Sequence, residues 1–258
     1  MKKDNQLVFS ATTIVVPVYL AAIAGAEVIG VFVGVVPGAV GHALLVLTLL
    51  SHYALKNGLS YRRVLPVLAL APLLRILSLT IPIREIPLIY WYAMIGVPLL
   101  LAVALTKRLL SLSWIDLGLR SGSWLPQILI ALSGLPLSLL AFFILRPNPL
   151  IATFAWREVT VGAIILLIFT GFTEELMFRG LLQQVASEAF GRVGLFYSSA
   201  VFTIMYIGSL SWGYVLFIGL LSLFFGWCVH RTGSIWGVAL AHGVLNIGMA
   251  FVWPFVWR

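Results

Sequence analysis

Charge is what this chain has least of. Only 9% of its 258 residues are charged, and eight of them are acidic. A soluble domain carries roughly a quarter charged residues and about half apolar ones, so a water-exposed globular surface is excluded. Cysteine is nearly absent: Cys228 stands alone, which rules out an intramolecular disulfide and any cysteine-cluster metal site. There is no internal repeat and no low-complexity segment, so solenoids and biased tails are out as well. Sixteen basic residues give a net charge of +8 and a pI near 10.0. They form no single patch and sit between apolar runs, which argues against a nucleic-acid partner.

What is abundant is apolar. Hydrophobic residues make up 62% of the chain, with a mean hydropathy of +1.10. No core of a chain this size could bury that excess, so lipid is its solvent. The expected fold class is all-α, a polytopic transmembrane helix bundle with about eight or nine transmembrane segments. Nine apolar stretches can be read, near 7–24, 38–55, 64–82, 88–106, 124–145, 158–178, 194–209, 212–229 and 234–255. The 194–209 stretch is short enough to be tilted or re-entrant. Met1-Lys2-Lys3 before Leu7 to Ala24 has the form of a signal peptide, but the run is long enough to span and more spans follow, so an uncleaved first helix is expected. Prolines 17, 66, 72, 98 and 136 fall inside apolar runs and imply kinks that neighbouring helices support.

Basic residues set an expected orientation. With the N-terminus inside, the cytoplasmic segments hold Lys2, Lys3, Lys56, Arg62, Arg63, Lys107, Arg108, Arg120, Arg192 and Arg231, and the outer ones hold Arg84, Arg146, Arg157 and Arg258. The protein is thus expected in a cytoplasmic membrane of prokaryotic type. Tyr90-Trp91-Tyr92 and Trp253 with Trp257 fit interfacial belts. The longest polar connection, 111–123, divides N-terminal transmembrane helices (1–110) from a second membrane unit (124–258) and is expected in the cytoplasm.

Against this background Glu174-Glu175-Leu176-Met177-Phe178-Arg179 stands out. Ionisable groups at membrane depth are expensive and mark interior or wet sites. Glu175 and Arg179 are four apart and share a helix face. Glu174 points about 100° away, free to act as a general base. On the last apolar segment His242 and Asn246 are also four apart, and donors in a dry site can stabilise an oxyanion. Base on one helix and donors on another suit peptide hydrolysis. Each feature also has a purely structural reading as interhelical glue. Arg75 is expected to be a structural partner of Glu27 or Glu85, the spacing leaves His42 and His52 unassigned, and His230-Arg231 marks a helix end.

Taken in order, Glu174-Glu175-x-x-x-Arg179, Phe202-x-x-x-Tyr206 and His242-x-x-x-Asn246 resemble the CPBP family, which includes the CAAX prenyl endopeptidases and bacterial bacteriocin-immunity or abortive-infection homologues. Gly180-Leu181-Leu182 and Ser198-Ser199-Ala200 add to the likeness, which covers roughly residues 120–250. The resemblance implies a CAAX-type endopeptidase domain in 124–258. Glu174 would activate water, Glu175 and Arg179 would be the supporting ion pair, and His242 and Asn246 would hold the oxyanion. With the glutamates toward the cytoplasmic end of their helix, cleavage would lie near the cytoplasmic face. No cofactor is expected for a glutamate-activated water, although the family is often labelled metalloprotease, which leaves a divalent ion such as zinc open. The implied partners are a membrane protein or lipidated peptide substrate and the lipid bilayer.

One position departs from the family pattern: Tyr206 stands where the motif has histidine. A phenol can position water through hydrogen bonds, but it ordinarily titrates near pH 10 and is a poor base. Losing an acid/base partner commonly costs about 10²–10⁴ in rate. Two readings therefore stay open: an intramembrane protease, and a pseudoprotease acting as a binding, immunity or assembly factor. A transporter with Glu174, Glu175 and Arg75 on an ion path ranks last, because inverted repeats are missing.

Overall fold

The structure, a computed structural model, describes residues 2–56, 58, 61–82, 87–151 and 153–257, with the helical backbone alone for 2–14 and 16. Among these residues the fold is all-helical. The nine helices are α1 (Lys2–Phe32), α2 (Val35–Leu55), α3 (Val64–Thr80), α4 (Leu88–Leu109), α5 (Trp124–Leu145), α6 (Trp156–Phe190), α7 (Val193–Ile204), α8 (Trp212–Thr232) and α9 (Trp236–Val256). Six of them (α2, α4, α5, α6, α8 and α9) are long and apolar enough to cross a membrane. Shorter apolar helical stretches run over Pro17–Phe32, Val64–Thr80 and Val193–Ser209. Large apolar side chains such as Leu47, Leu101, Leu129 and Leu216 stay exposed on the outer faces, as a lipid solvent allows.

α6 differs most from its expected extent. The apolar run suggested an end near 178, with Glu174 and Glu175 close to it. Instead α6 continues to Phe190 over 35 residues, roughly 50 Å at helical rise, and the two glutamates fall midway along it. Gln183 does not stop the helix because its amide donates to the Gly226 carbonyl of α8 at 2.9 Å. The chain turns only at Gly191, whose φ of 60° suits glycine.

Small residues let α5, α6 and α9 approach closely. A Cβ on Gly134 would run into the backbone of Ala241, and one on Gly171 would meet the backbone of Ala239 and Gly243. Such small-residue contacts replace the hydrophobic effect as the packing device between helices in lipid. α3 is interrupted at Ala69, between Pro66 and Pro72.

The 111–123 connection folds back over one end of the bundle. Leu110, Leu112 and Leu117 are buried, the Gly118 carbonyl accepts from Ile235 N–H at 3.1 Å, and Arg120 Nε donates to the Gly233 carbonyl at 2.6 Å. Its turn is pinned by Ser113, whose N–H and hydroxyl both donate to Asp116 Oδ2 at 2.7 Å. These bonds, the backbone N–H first, hold the exposed Asp116 carboxyl below its ordinary range. This connection covers the end of the bundle that carries most of the basic residues.

Candidate active site

α6 changes its winding where the glutamates sit. Leu167–Phe172 and Leu176–Gln183 are π-helical, with one short α-helical stretch, Thr173–Glu175, between them. π-bulges are rare and recur at functional sites. Here the two stretches flank the adjacent glutamates, which face different surroundings.

Glu175 is fully buried and joins a charged cluster. Its Oε1 accepts from Arg179 Nη1 at 3.0 Å and pairs with His242 Nδ1 at 2.8 Å. Arg179 Nη2 donates to Ser222 Oγ at 3.0 Å, and its guanidinium lies over the Phe202 ring, 4.4 Å from the centroid. The Glu175–Arg179 pairing is the one expected from the spacing. The link from Glu175 to His242 was not expected. It makes Nδ1–H a donor to the carboxylate, leaving Nε2 as the acceptor in a neutral ring.

Glu174 is only partly buried and lines two adjoining cavities. One, of about 200 Å³, is walled by residues of α3, α4, α6 and the end of α7, among them Arg75, Trp91, Phe178 and Tyr206. The other, of about 240 Å³, is lined by Asn148, Glu174, Tyr206, Tyr214, Asn246 and Met249 among others. Tyr206 lines both cavities with Glu174, its ring 5.2 Å from that of Phe202 and 5.9 Å from that of Tyr214. Asn246 Nδ2 donates to Thr170 Oγ1 at 2.8 Å, while Thr170 Oγ1 donates to the Leu166 carbonyl at 2.5 Å.

The six residues singled out in the sequence therefore form two layers. Glu174, Tyr206 and Asn246 line the cavities. Glu175, Arg179 and His242 pack behind them, the last two each 3% exposed. Sequence reasoning missed Thr170 and Ser222, which hold Asn246 and Arg179. The only signal for either was a hydroxyl residue inside an apolar run. It also missed the cavity role of Trp91 and Tyr92, taken as interfacial anchors; both face inward. Trp253 likewise turns in, donating to Ser138 Oγ at 2.8 Å.

The direction of the cavities bears on orientation. Their walls come from the second half of α3, the first half of α4, Pro147 and Asn148 after α5, and Tyr206 after α7. All of these lie toward the end of the bundle opposite the 111–123 connection. The cavity walls therefore lie toward the basic-poor end, whereas the expected arrangement paired an inside N-terminus with a site facing the same side.

The donor set does not suit a resident metal ion. Among the described residues no group of three or more His, Cys, Asp or Glu could hold one. His242 Nδ1 and Glu175 Oε1 are committed to each other, and Arg179 already supplies the local positive charge.

Residues 156–248 match the family described as Type II CAAX prenyl endopeptidase Rce1-like. This stretch, which holds all six residues, is an Rce1-like domain of the CPBP family, and that family implies a membrane CAAX-type protease. Neither a curated protein nor a solved structure matches the chain.

Proposed function

We propose that this protein is an intramembrane endopeptidase that hydrolyses a peptide bond with water activated by Glu174. The observation that carries the reading is the division of labour between adjacent glutamates: Glu175 is locked into Arg179 and His242, while Glu174 faces the cavities beside Tyr206. Glu174 takes a proton from water as the oxygen attacks the peptide carbonyl. It then returns that proton to the departing amine, so the C–N bond breaks with no net change at the enzyme. Asn246 spends one N–H on Thr170 and keeps another for the developing oxyanion. His242, oriented by Glu175, would aid the oxyanion in its protonated form. Tyr206 positions the water.

The helices are read as a polytopic bundle of eight or nine spans, in a prokaryotic cytoplasmic membrane. Its N-terminal unit spans 1–110 and its protease unit 124–258. With the basic end and the N-terminus in the cytoplasm, substrate reaches Glu174 from the opposite face. The substrate class is a membrane protein or a lipidated peptide. The test compares the termini of membrane proteins by mass spectrometry in cells carrying wild type or Glu174→Gln at matched expression. Termini dependent on wild type are expected, with a loss of at least about 10²-fold in the variant. Identical sets from the two would refute proteolysis.

Tyr206 supports a second reading, a pseudoprotease that binds a membrane partner in an immunity or assembly role. In that case Glu174→Gln cells keep the wild-type phenotype while cells lacking the protein lose it.

A further inference from the structure

The cavity beside Glu174 has a second polar pole, built by helices outside the family domain. Arg75 of α3 lines it, with its side chain 20% exposed. Arg75 Nε donates to Glu27 Oε1 at 2.5 Å and Nη1 donates to Ser78 Oγ at 3.2 Å. Glu27 is itself buried against His42, whose Nε2 stands 3.2 Å from the same carboxylate oxygen. The guanidinium is therefore anchored from behind by a carboxylate, and its outer nitrogen, Nη2, lies toward Gly208. A purely structural ion pair would explain Glu27 and Arg75, but not the neighbouring Trp91. Its indole N–H is buried without an acceptor, and the residue lines the same cavity. A buried donor left unpaired costs about 1–3 kcal/mol, and such groups are rare enough to call for an explanation.

We propose that Arg75 and Trp91 form a carboxylate-binding subsite for the substrate. A planar guanidinium fork matches a carboxylate, and the indole N–H supplies a further donor. Glu27 holds the fork and keeps the empty site from presenting an uncompensated cation at membrane depth. Between this pole and the Glu174–Tyr206 pole the wall carries apolar side chains, among them Leu74, Ile95, Phe169 and Met205. A bound peptide would thus offer apolar side chains and one carboxylate, within the reach of a cavity of about 200 Å³ from Glu174. That carboxylate is either the chain's own C-terminus or an acidic side chain near the cleaved bond. The subsite makes Arg75 and Trp91 specificity residues contributed by the N-terminal helices. The inference rests on the reading of this cavity as the peptide-binding site, but not on turnover.

The test uses the full-length Glu174→Gln protein in detergent and measures dissociation constants for three probes: N-acetyl-Leu-Leu-Phe as the free acid, the same tripeptide as its C-terminal amide, and N-acetyl-Leu-Glu-Phe amide. One carboxylate-bearing probe should bind about ten- to a hundredfold more tightly than the neutral amide, the gain of a charge-assisted hydrogen bond. Which of the two it is tells a terminal from a side-chain carboxylate. Adding Arg75→Gln should erase the preference while leaving the weak affinity for the neutral amide, and Arg75→Lys should restore only part of it. Trp91→Phe, which leaves the Glu27 pair intact, should weaken the preference without unfolding the protein. Equal binding of all three probes, binding of none, or a preference that survives in folded Arg75→Gln protein would overturn the subsite. A carboxylate preference in a protein whose wild type cleaves nothing would instead leave the subsite standing and remove the proteolytic reading.

Discussion

At the scale of single residues, adjacent glutamates do different things because the backbone sends them to different places. Glu175 is the buried hub of the cluster with Arg179 and His242. Removing one partner of a buried ion pair leaves the other uncompensated and costs about 3–5 kcal/mol. Glu175→Gln is accordingly expected to lower thermal stability in detergent sharply, whereas Glu174→Gln should barely change it. A stable Glu175→Gln protein would mean the cluster is not what holds α6 to α9. Tyr206→His restores the imidazole of the family pattern next to Glu174. Cleavage, read from product termini, should rise about 10²-fold or more if the rest of the site is competent. No gain in a folded variant would count against Tyr206 sitting at the position of the motif histidine.

Among the elements, α6 and α9 matter most, because the site exists only where they touch. Glycines 171 and 243 allow that contact. A larger side chain at 171 would push α9 away and lengthen the Glu175–His242 bond, now 2.8 Å. Gly171→Val is expected to destabilise by about 1–3 kcal/mol through overpacking, seen as a lower melting temperature, and to remove cleavage as well. Wild-type melting and activity in that variant would show that close approach is not required. The π-helical winding on both sides of Thr173–Glu175 belongs to this scale too. No sequence signal announced it, because it depends on which neighbours accept the displaced side chains rather than on local propensity.

The whole molecule has two unlike ends. One carries most of the basic residues and is covered by the 111–123 connection. The other holds the cavity walls around Asn148 and Tyr92. In the orientation proposed above, with the basic end in the cytoplasm, the cavity end faces outward. Single cysteines at exposed positions test this in a Cys228→Ala background. In intact cells a membrane-impermeant thiol reagent should label Asn148→Cys and not Ser123→Cys. Labelling of Ser123→Cys alone would invert the bundle and turn the site toward the cytoplasm.

The sequence by itself determined a good deal. Scarce charge and nine apolar stretches implied a helical membrane bundle, since nothing but lipid could solvate so much apolar surface. The order of Glu174-Glu175-x-x-x-Arg179, Phe202-x-x-x-Tyr206 and His242-x-x-x-Asn246 pointed to the family domain that residues 156–248 contain, and the i, i+4 spacing of Glu175 and Arg179 foretold their pairing. The expectation that Arg75 would find a carboxylate also held, with Glu27 as the partner; Glu85 lies outside the described residues. Only the tertiary structure decided that Glu175 also holds His242, that Trp91 turns its indole inward, and that α6 runs past 178. Each of these depends on groups brought together from distant parts of the chain, such as Gly226 accepting from Gln183 across 43 positions. Periodicity reports which face of a helix is apolar. It carries no information about which other helix will supply the partner for a buried polar group.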